Sequence, residues 1–228
     1  ANAEVMAQFA AKHQLAGKRV IGIAARLATE KGVEVLLMAL PIVQKAFPNA
    51  MVLHAGPYEN ILGEEAYAAR LKPQLEKYKA SYHQLGNLDG AELTAFYDSL
   101  DCLCIPSLNG TESFGLVQIE AMMHGAPVAA CALPGVRQPV TMTGMGEVTP
   151  IGDHVALADA IIRILRNRAA YQRSSQLIAD SFSPQETAVS YLNLFHNLQQ
   201  GKHDPSAAEP PAYDRLRHMR DQAITEAK

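Results

Sequence analysis

Short apolar runs recur along the chain with helix-forming stretches between them, and this alternation constrains the fold more than any other feature. Arg19 to Ala24, Met51 to Ala55, Tyr82 to Gly86, Leu103 to Ile105 and Pro127 to Leu133 have strand length and composition, and Glu147 to Thr149 offers a short sixth. Between the first two, Val33, Leu36, Leu37, Leu40 and Val43 fall on one helical face that Pro41 should kink. Glu64 to Lys79 reads as a polar, exposed helix and Ala91 to Leu100 as a short one. A strand followed by a helix and another strand makes a parallel pair, because the helix supplies the crossover that a parallel pairing needs. The expected fold is therefore α/β, a doubly wound parallel sheet of five to six strands with helices on both faces.

The ends of the chain read differently. Residues 1 to 18 form a linker helix, with Val5, Met6, Phe9 and Ala10 on one face and Gly17 as its stop. From Asp153, a helix cap, the chain is helical. Leu157, Ala158, Ile161, Ile162 and Leu165 mark one helix, Tyr171 to Phe182 a second, and Ala188, Tyr191, Leu192, Phe195 and Leu198 a third. Residues 201 to 211 hold three prolines and few apolar groups, a linker composition, and Tyr213 to Ala227 has only a thin apolar stripe. The domain would occupy residues 19–200, with 201–228 as linker and short helical tail.

Bulk properties exclude several classes of function. With 228 residues, 48% hydrophobic, the chain can bury a sizeable core. A net charge of −3 gives no basic excess for nucleic acid, and no run of about 18 apolar residues is present to span a membrane. No signal peptide is visible, so a cytoplasmic setting is the expectation. Cys102, Cys104 and Cys131 lie in apolar runs without Cys-x-x-Cys spacing or neighbouring histidines, and read as reduced core residues. The eight histidines, His124 included, are scattered and read as ordinary buried or surface residues; no metal site is expected.

The chemistry concentrates between Pro106 and Gly125. This stretch joins two strand-like runs, so its loop lies at the carboxyl end of a strand, where open α/β sheets place ligands. A helix starting near Ser113, capped by that hydroxyl, would present the free N–H groups of Phe114, Gly115 and Leu116, an end that attracts phosphate. Leu116, Val117, Ile119, Ala121, Met122 and Met123 make the helix apolar on nearly every side. Glu120 breaks that pattern, and a carboxylate on a mostly buried helix requires a partner, either structural or a ligand's hydroxyls. Glu112 puts a second carboxylate at the ligand end.

After the first strand, Ala25-Arg26-Leu27-Ala28-Thr29-Glu30-Lys31-Gly32 forms another loop on the same edge. It is neither a Gly-x-Gly-x-x-Gly fingerprint nor a Walker loop. Instead it offers a guanidinium and an ammonium five residues apart at the mouth of a helix, a pair suited to a diphosphate. Singly, either cation reads as a solvated loop residue; the combination with Glu112, Glu120 and the helix end favours a ligand site.

These segments resemble the family 4 (group 1) retaining, nucleotide-sugar-dependent glycosyltransferases. The Arg-Leu-x-x-Glu-Lys-Gly loop, Pro-Ser, Glu-Ser-Phe-Gly-Leu, Glu-Ala-Met and Gly-x-Pro-Val elements occur in family order, with Glu112 and Glu120 as the Glu-x7-Glu pair; Ala25 replaces the usual glycine. The resemblance covers roughly residues 1 to 199. It implies the C-terminal, donor-binding, Rossmann-like half of a twin-domain enzyme, so the chain is expected to be a fragment, inactive without the N-terminal acceptor half. Terminal helices of this kind cross back toward that half in the family.

By the same resemblance Arg26, Lys31 and Glu112 are the catalytic residues, the two cations holding the donor diphosphate and Glu112 contacting the sugar. Glu120 binds the ribose, and Ser113, Phe114, Gly115 and Leu116 complete the donor site. Asn87 and Leu88 match the place where relatives meet the base, with a plain turn as the equal alternative; Pro134-Gly135-Val136-Arg137 corresponds to a loop near the donor, and Arg137 reads equally as a surface residue. No cofactor is implied, since the nucleoside diphosphate sugar is itself the substrate, and no metal. Peripheral membrane contact of the full-length protein stays open. The alternatives are a non-catalytic nucleotide-sugar-binding module, or an epimerase or phosphorylase on the same fold.

Overall fold

Val20 and Ile21 point to opposite faces of one strand, and each meets a different layer of helices. In the computed structural model, which describes residues 1–202, the chain begins with α1 (Ala3–Lys12) and β1 (Arg19–Ala24), then α2 (Val33–Ala46), β2 (Ala50–Ala55), α3 (Glu65–Lys77) and β3 (Tyr82–Gly86). It continues through α4 (Gly90–Asp98), β4 (Cys102–Ile105), α5 (Leu116–Met123), β5 (Val128–Cys131), α6 (Arg137–Thr143) and β6 (Gly146–Thr149). Then come α7 (His154–Arg166), α8 (Arg168–Tyr171), α9 (Ser175–Ser181) and α10 (Pro184–Gln199). The linker and tail expected over 201–228 lie, from residue 203 on, outside the described residues.

The described strands form one all-parallel sheet in the order β3-β2-β1-β4-β5-β6. This is the expected doubly wound α/β architecture. Val20, Met51, Leu53, Leu103, Ile105, Val128 and Ala130 face a layer containing Phe9, Phe96, Ile119, Val140 and Ile178, from α1, α4, α5, α6 and α9. Ile21, Ile23, Val52, Cys102, Cys104 and Ala129 face the other layer, built from α2, α3 and α7. Such two-sided burial is why the strands read as continuous apolar runs rather than alternating ones. Each buried Val, Leu or Ile contributes about 1.5–3 kcal/mol relative to exposure, and α2 alone buries Leu36, Leu37, Leu40 and Val43 completely or nearly so. The cysteines are free and buried.

Several local expectations are corrected. The first helix stops at Lys12, not near Gly17, because the chain turns through Gln14 at φ 57° after the His13 cap. Pro41 lies inside helix α2, which continues past it to Ala46. The helix expected over Tyr171–Phe182 is divided: Gln172 is extended, and Ser174 starts α9 afresh by accepting from the Leu177 N–H. Asp153 does cap α7, accepting from the N–H groups of Val155 and Ala156 at 3.0 and 2.9 Å, an interaction typically worth about 1 kcal/mol. Helix α10 buries none of its residues, and Tyr191, Leu192, Phe195 and Leu198 are exposed.

Candidate functional site

β1 and β4 are neighbours in the sheet, yet β1 leads into α2 on one face and β4 into α5 on the other. Their carboxyl ends therefore splay apart and leave a crevice at the switch point. Gly32 narrows this crevice. It sits at φ 64° just before α2, and a Cβ there would lie 2.1 Å from the Pro106 carbonyl oxygen, so only glycine lets the two loops approach this closely. The Leu108 N–H donates to the Glu30 carbonyl at 2.8 Å, fastening the loops together.

The outcome is a contact between residues 81 positions apart. Lys31 Nζ donates to Glu112 Oε2 at 2.6 Å, with side chains 20% and 18% exposed. Arg26 is more open and donates to Glu30 Oε1 at 2.5 Å. Burial pushes the Glu30 carboxyl up, but its own backbone N–H, Arg26 and Lys31 outweigh burial and hold it below the ordinary carboxylate range. Both cations thus have an anionic partner within the chain. The Ala25 carbonyl before Arg26 accepts from His54 Nε2 at 2.8 Å, and Gly56 packs directly against that oxygen. His54 is fully buried, and its other nitrogen, Nδ1, meets the Tyr82 hydroxyl at 3.0 Å. Burial lowers the imidazole pKa to about 4, against the opposing pull of the Ala25 hydrogen bond, so the ring is neutral.

The start of α5 differs from expectation. The helix begins at Leu116, and its cap is Gly115 at φ 74° with no side-chain capping bond, so Ser113 is exposed and caps nothing. No backbone acceptor among the described residues meets the N–H groups of Phe114, Gly115 and Leu116, which leaves a short row of donors beside Glu112. The helix also has a solvent face. Leu116 is 70% and Met123 41% exposed. Glu120, too, is exposed rather than mostly buried, and its partner is the Tyr97 hydroxyl, which donates to Oε2. Burial, then the Glu120 carboxylate, raise the Tyr97 pKa far above its ordinary value, so the phenol stays protonated.

Glu120 lines a cleft of about 180 Å³ with Leu93, Thr94, Tyr97, Met123 and His124. Leu88 packs against the core layer and Asn87 is exposed, in the loop between β3 and α4; neither shares a recorded hydrogen bond with the other named residues. A larger cavity, about 440 Å³, opens beside α3 and is lined by Tyr58, Lys72 and Tyr82 but by none of the candidate residues. Among the described residues no group of three or more His, Cys, Asp or Glu is placed to hold a metal ion, and no helix is long and apolar enough to cross a membrane.

Residues 6–179 match the family described as glycosyl transferases group 1. The chain belongs to this family. A phosphatidyl-myo-inositol mannosyltransferase from Mycobacterium leprae is 36% identical over 69% of the chain and 40% of that protein. Sucrose-phosphate synthase from Thermosynechococcus elongatus superposes with a TM-score of 0.68 at 28% identity, over 86% of this chain and 49% of that one. Anabaena HepE, solved in complex with UDP, superposes with a TM-score of 0.61 at 21% identity, over 82% and 54%. The chain spans 40% of the length of that curated mannosyltransferase.

Three polar residues of this glycosyltransferase domain escaped the sequence reading. Gln118 is fully buried on α5 and donates to the carbonyls of Phe114 and Val136, tying the loop after β4 to the loop after β5. Gly135 presses the same two loops together, since a Cβ there would lie 1.7 Å from the Ser113 carbonyl oxygen. The signal for Gln118 was its helical spacing from Ala121 and Met122, which puts it on the core side. His54 stood alone in an apolar strand. Tyr97 carried no signal of its own, because its role depends on how α4 and α5 pack.

Proposed function

We propose that this chain is the donor-binding half of a retaining glycosyltransferase, which takes a sugar from a nucleoside diphosphate sugar and passes it to an acceptor held by a preceding domain. The observation that carries this reading is the meeting of Lys31 and Glu112 across the switch point, beside the unpaired N–H groups of Phe114, Gly115 and Leu116. Breaking the anomeric C–O bond builds negative charge on the departing diphosphate. The N–H row at the start of α5 is held by the helix and needs no reorganisation as the charge develops, and Lys31 and Arg26, once drawn from Glu112 and Glu30, add two cations to it. Glu112 orients the sugar hydroxyls and Glu120 accepts from the ribose. For retention, the acceptor attacks from the face the diphosphate leaves, and the leaving phosphate takes its proton.

The UDP complex of HepE supports a nucleoside diphosphate as the ligand class. The exposed apolar stripe of α10 supports a missing half that covers it. Calorimetric titration with UDP, GDP, ADP and their sugar conjugates tests the reading. One of the diphosphates binds at about micromolar strength, as a few charge-assisted contacts of about 1.5–3 kcal/mol allow, and the chain alone transfers no sugar. Absence of binding by all three diphosphates refutes the donor site; efficient transfer by this chain alone refutes the half-enzyme reading.

A further inference from the structure

Glu120 is on the solvent face of α5, where a glutamate ordinarily samples many rotamers. Here one of its oxygens is held. The Tyr97 hydroxyl donates to Oε2, and the phenol is itself immobilised: Tyr97 is 3% exposed, its ring stacks on His124 with centroids 5.6 Å apart and planes 19° from parallel, and it meets Phe96 edge-on at 5.2 Å. His124 Nδ1 in turn meets Asp98 Oδ1 at 2.6 Å. The chain of contacts runs from α4 to the end of α5, so the hydroxyl is a fixed point to which the carboxylate is tied.

We infer that Tyr97 is a positioning residue: it occupies Oε2 of Glu120 and aims Oε1 into the adjoining cleft as the acceptor for a ribose hydroxyl pair. This rests on the reading of Glu120 as the ribose contact. A phenol facing a carboxylate can only donate to it, so the contact occupies Oε2 and leaves Oε1 to accept from a diol, which offers two O–H donors. The cleft is lined by no lysine or arginine, and its remaining lining, Leu93, Thr94, Met123 and His124, the last already paired with Asp98, suits a sugar face better than a phosphate.

The test uses Tyr97→Phe, which keeps the ring and its stacking and removes only the donor. Calorimetry compares the nucleoside diphosphate that binds best among UDP, GDP and ADP with its 2′,3′-dideoxy counterpart. Wild type prefers the ribonucleotide. In Tyr97→Phe the ribonucleotide binds three- to tenfold more weakly while the dideoxy nucleotide binds as before. The double variant Tyr97→Phe/Glu120→Gln loses no more ribonucleotide affinity than Glu120→Gln alone, because the phenol acts only through the carboxylate. Equal weakening of both ligands by Tyr97→Phe marks a structural role and overturns the inference, as does no weakening of either. A wild-type protein indifferent to the ribose hydroxyls overturns the Glu120 reading, and the inference with it. Retained ribose preference in wild type with additive losses in the double variant overturns the inference alone.

Discussion

Replacing Glu112 by glutamine should make the domain bind a bare nucleoside diphosphate more tightly. The Lys31 ammonium is paired with Glu112 at 2.6 Å, with both side chains about four-fifths covered. A diphosphate must draw Lys31 away from that carboxylate or share it, and it does so against the repulsion of the carboxylate itself. Glutamine keeps the shape and one acceptor, but its bond to the ammonium is charge-assisted through the donor alone, so it falls to the low end of the about 1.5–3 kcal/mol range whose high end suits the ion pair. The difference, about 1–1.5 kcal/mol, returns to the ligand. At about 1.4 kcal/mol per factor of ten, that is roughly a five- to tenfold gain in affinity. Titration calorimetry at fixed ionic strength measures it, with the melting temperature recorded to show that the fold is intact. The sugar conjugate should not share the gain, because the carboxylate that orients its hydroxyls is gone. Lys31→Met should lower diphosphate affinity, and adding Glu112→Gln to it should restore only the part lost to the carboxylate's repulsion, less than Glu112→Gln gains with Lys31 present, since no ammonium remains to be released. Unchanged or weaker diphosphate binding by Glu112→Gln refutes the idea that the ion pair competes with the ligand.

Two further outcomes follow from the loop after β1. Arg26→Ala should weaken diphosphate binding by about tenfold while leaving urea stability nearly unchanged, because Arg26 is half exposed and a surface ion pair contributes little to folding; unaltered nucleotide affinity counts against its assignment. His54 should make stability depend on pH. Its folded pKa of about 4 lies below the unfolded value of 6.5, so between these limits the unfolded chain binds the extra proton. The contribution is fully present above pH 6.5 and is lost as pH falls toward 4, at up to about 1.4 kcal/mol per pH unit. Urea unfolding at pH 7, 6 and 5 measures that slope, and His54→Gln should flatten it; an equal slope in the variant assigns the effect to other groups.

The sheet was legible because its strands are buried on both faces. Such strands are continuous apolar runs, so Arg19–Ala24 has the same limits in sequence and structure; Tyr82–Gly86 keeps its limits too, although it is a half-buried edge strand. Helix ends were less legible where a backbone conformation decides them. Gln14 at positive φ ends α1 before Gly17 is reached, and an extended Gln172 splits a periodic stretch that reads as one helix. Gly115 similarly moves the start of α5 past Ser113, and nothing in the residue types requires the left-handed conformation to fall on the glycine rather than the cap on the serine.

At the site, spacing alone put charged residues on one sheet edge but not in contact. That Lys31 and Glu112 meet depends on Gly32 yielding to the Pro106 carbonyl, a long-range steric fact that no local pattern carries. Glu120 was misread for a related reason: periodicity tells how many sides of a helix are apolar, not which side the neighbours cover. Leu116 and Met123 share the open face with Glu120, so the carboxylate is not an ionised group trapped in a core and needs no compensation for burial. That changes its energetics. An exposed carboxylate contributes to binding only if its orientation is fixed beforehand, since otherwise the ligand must pay the entropy of ordering it. In this fold the packing of α4 on α5 brings Tyr97 to Glu120, so on the proposed reading the selectivity of the cleft depends on a residue outside the motif that identifies the family.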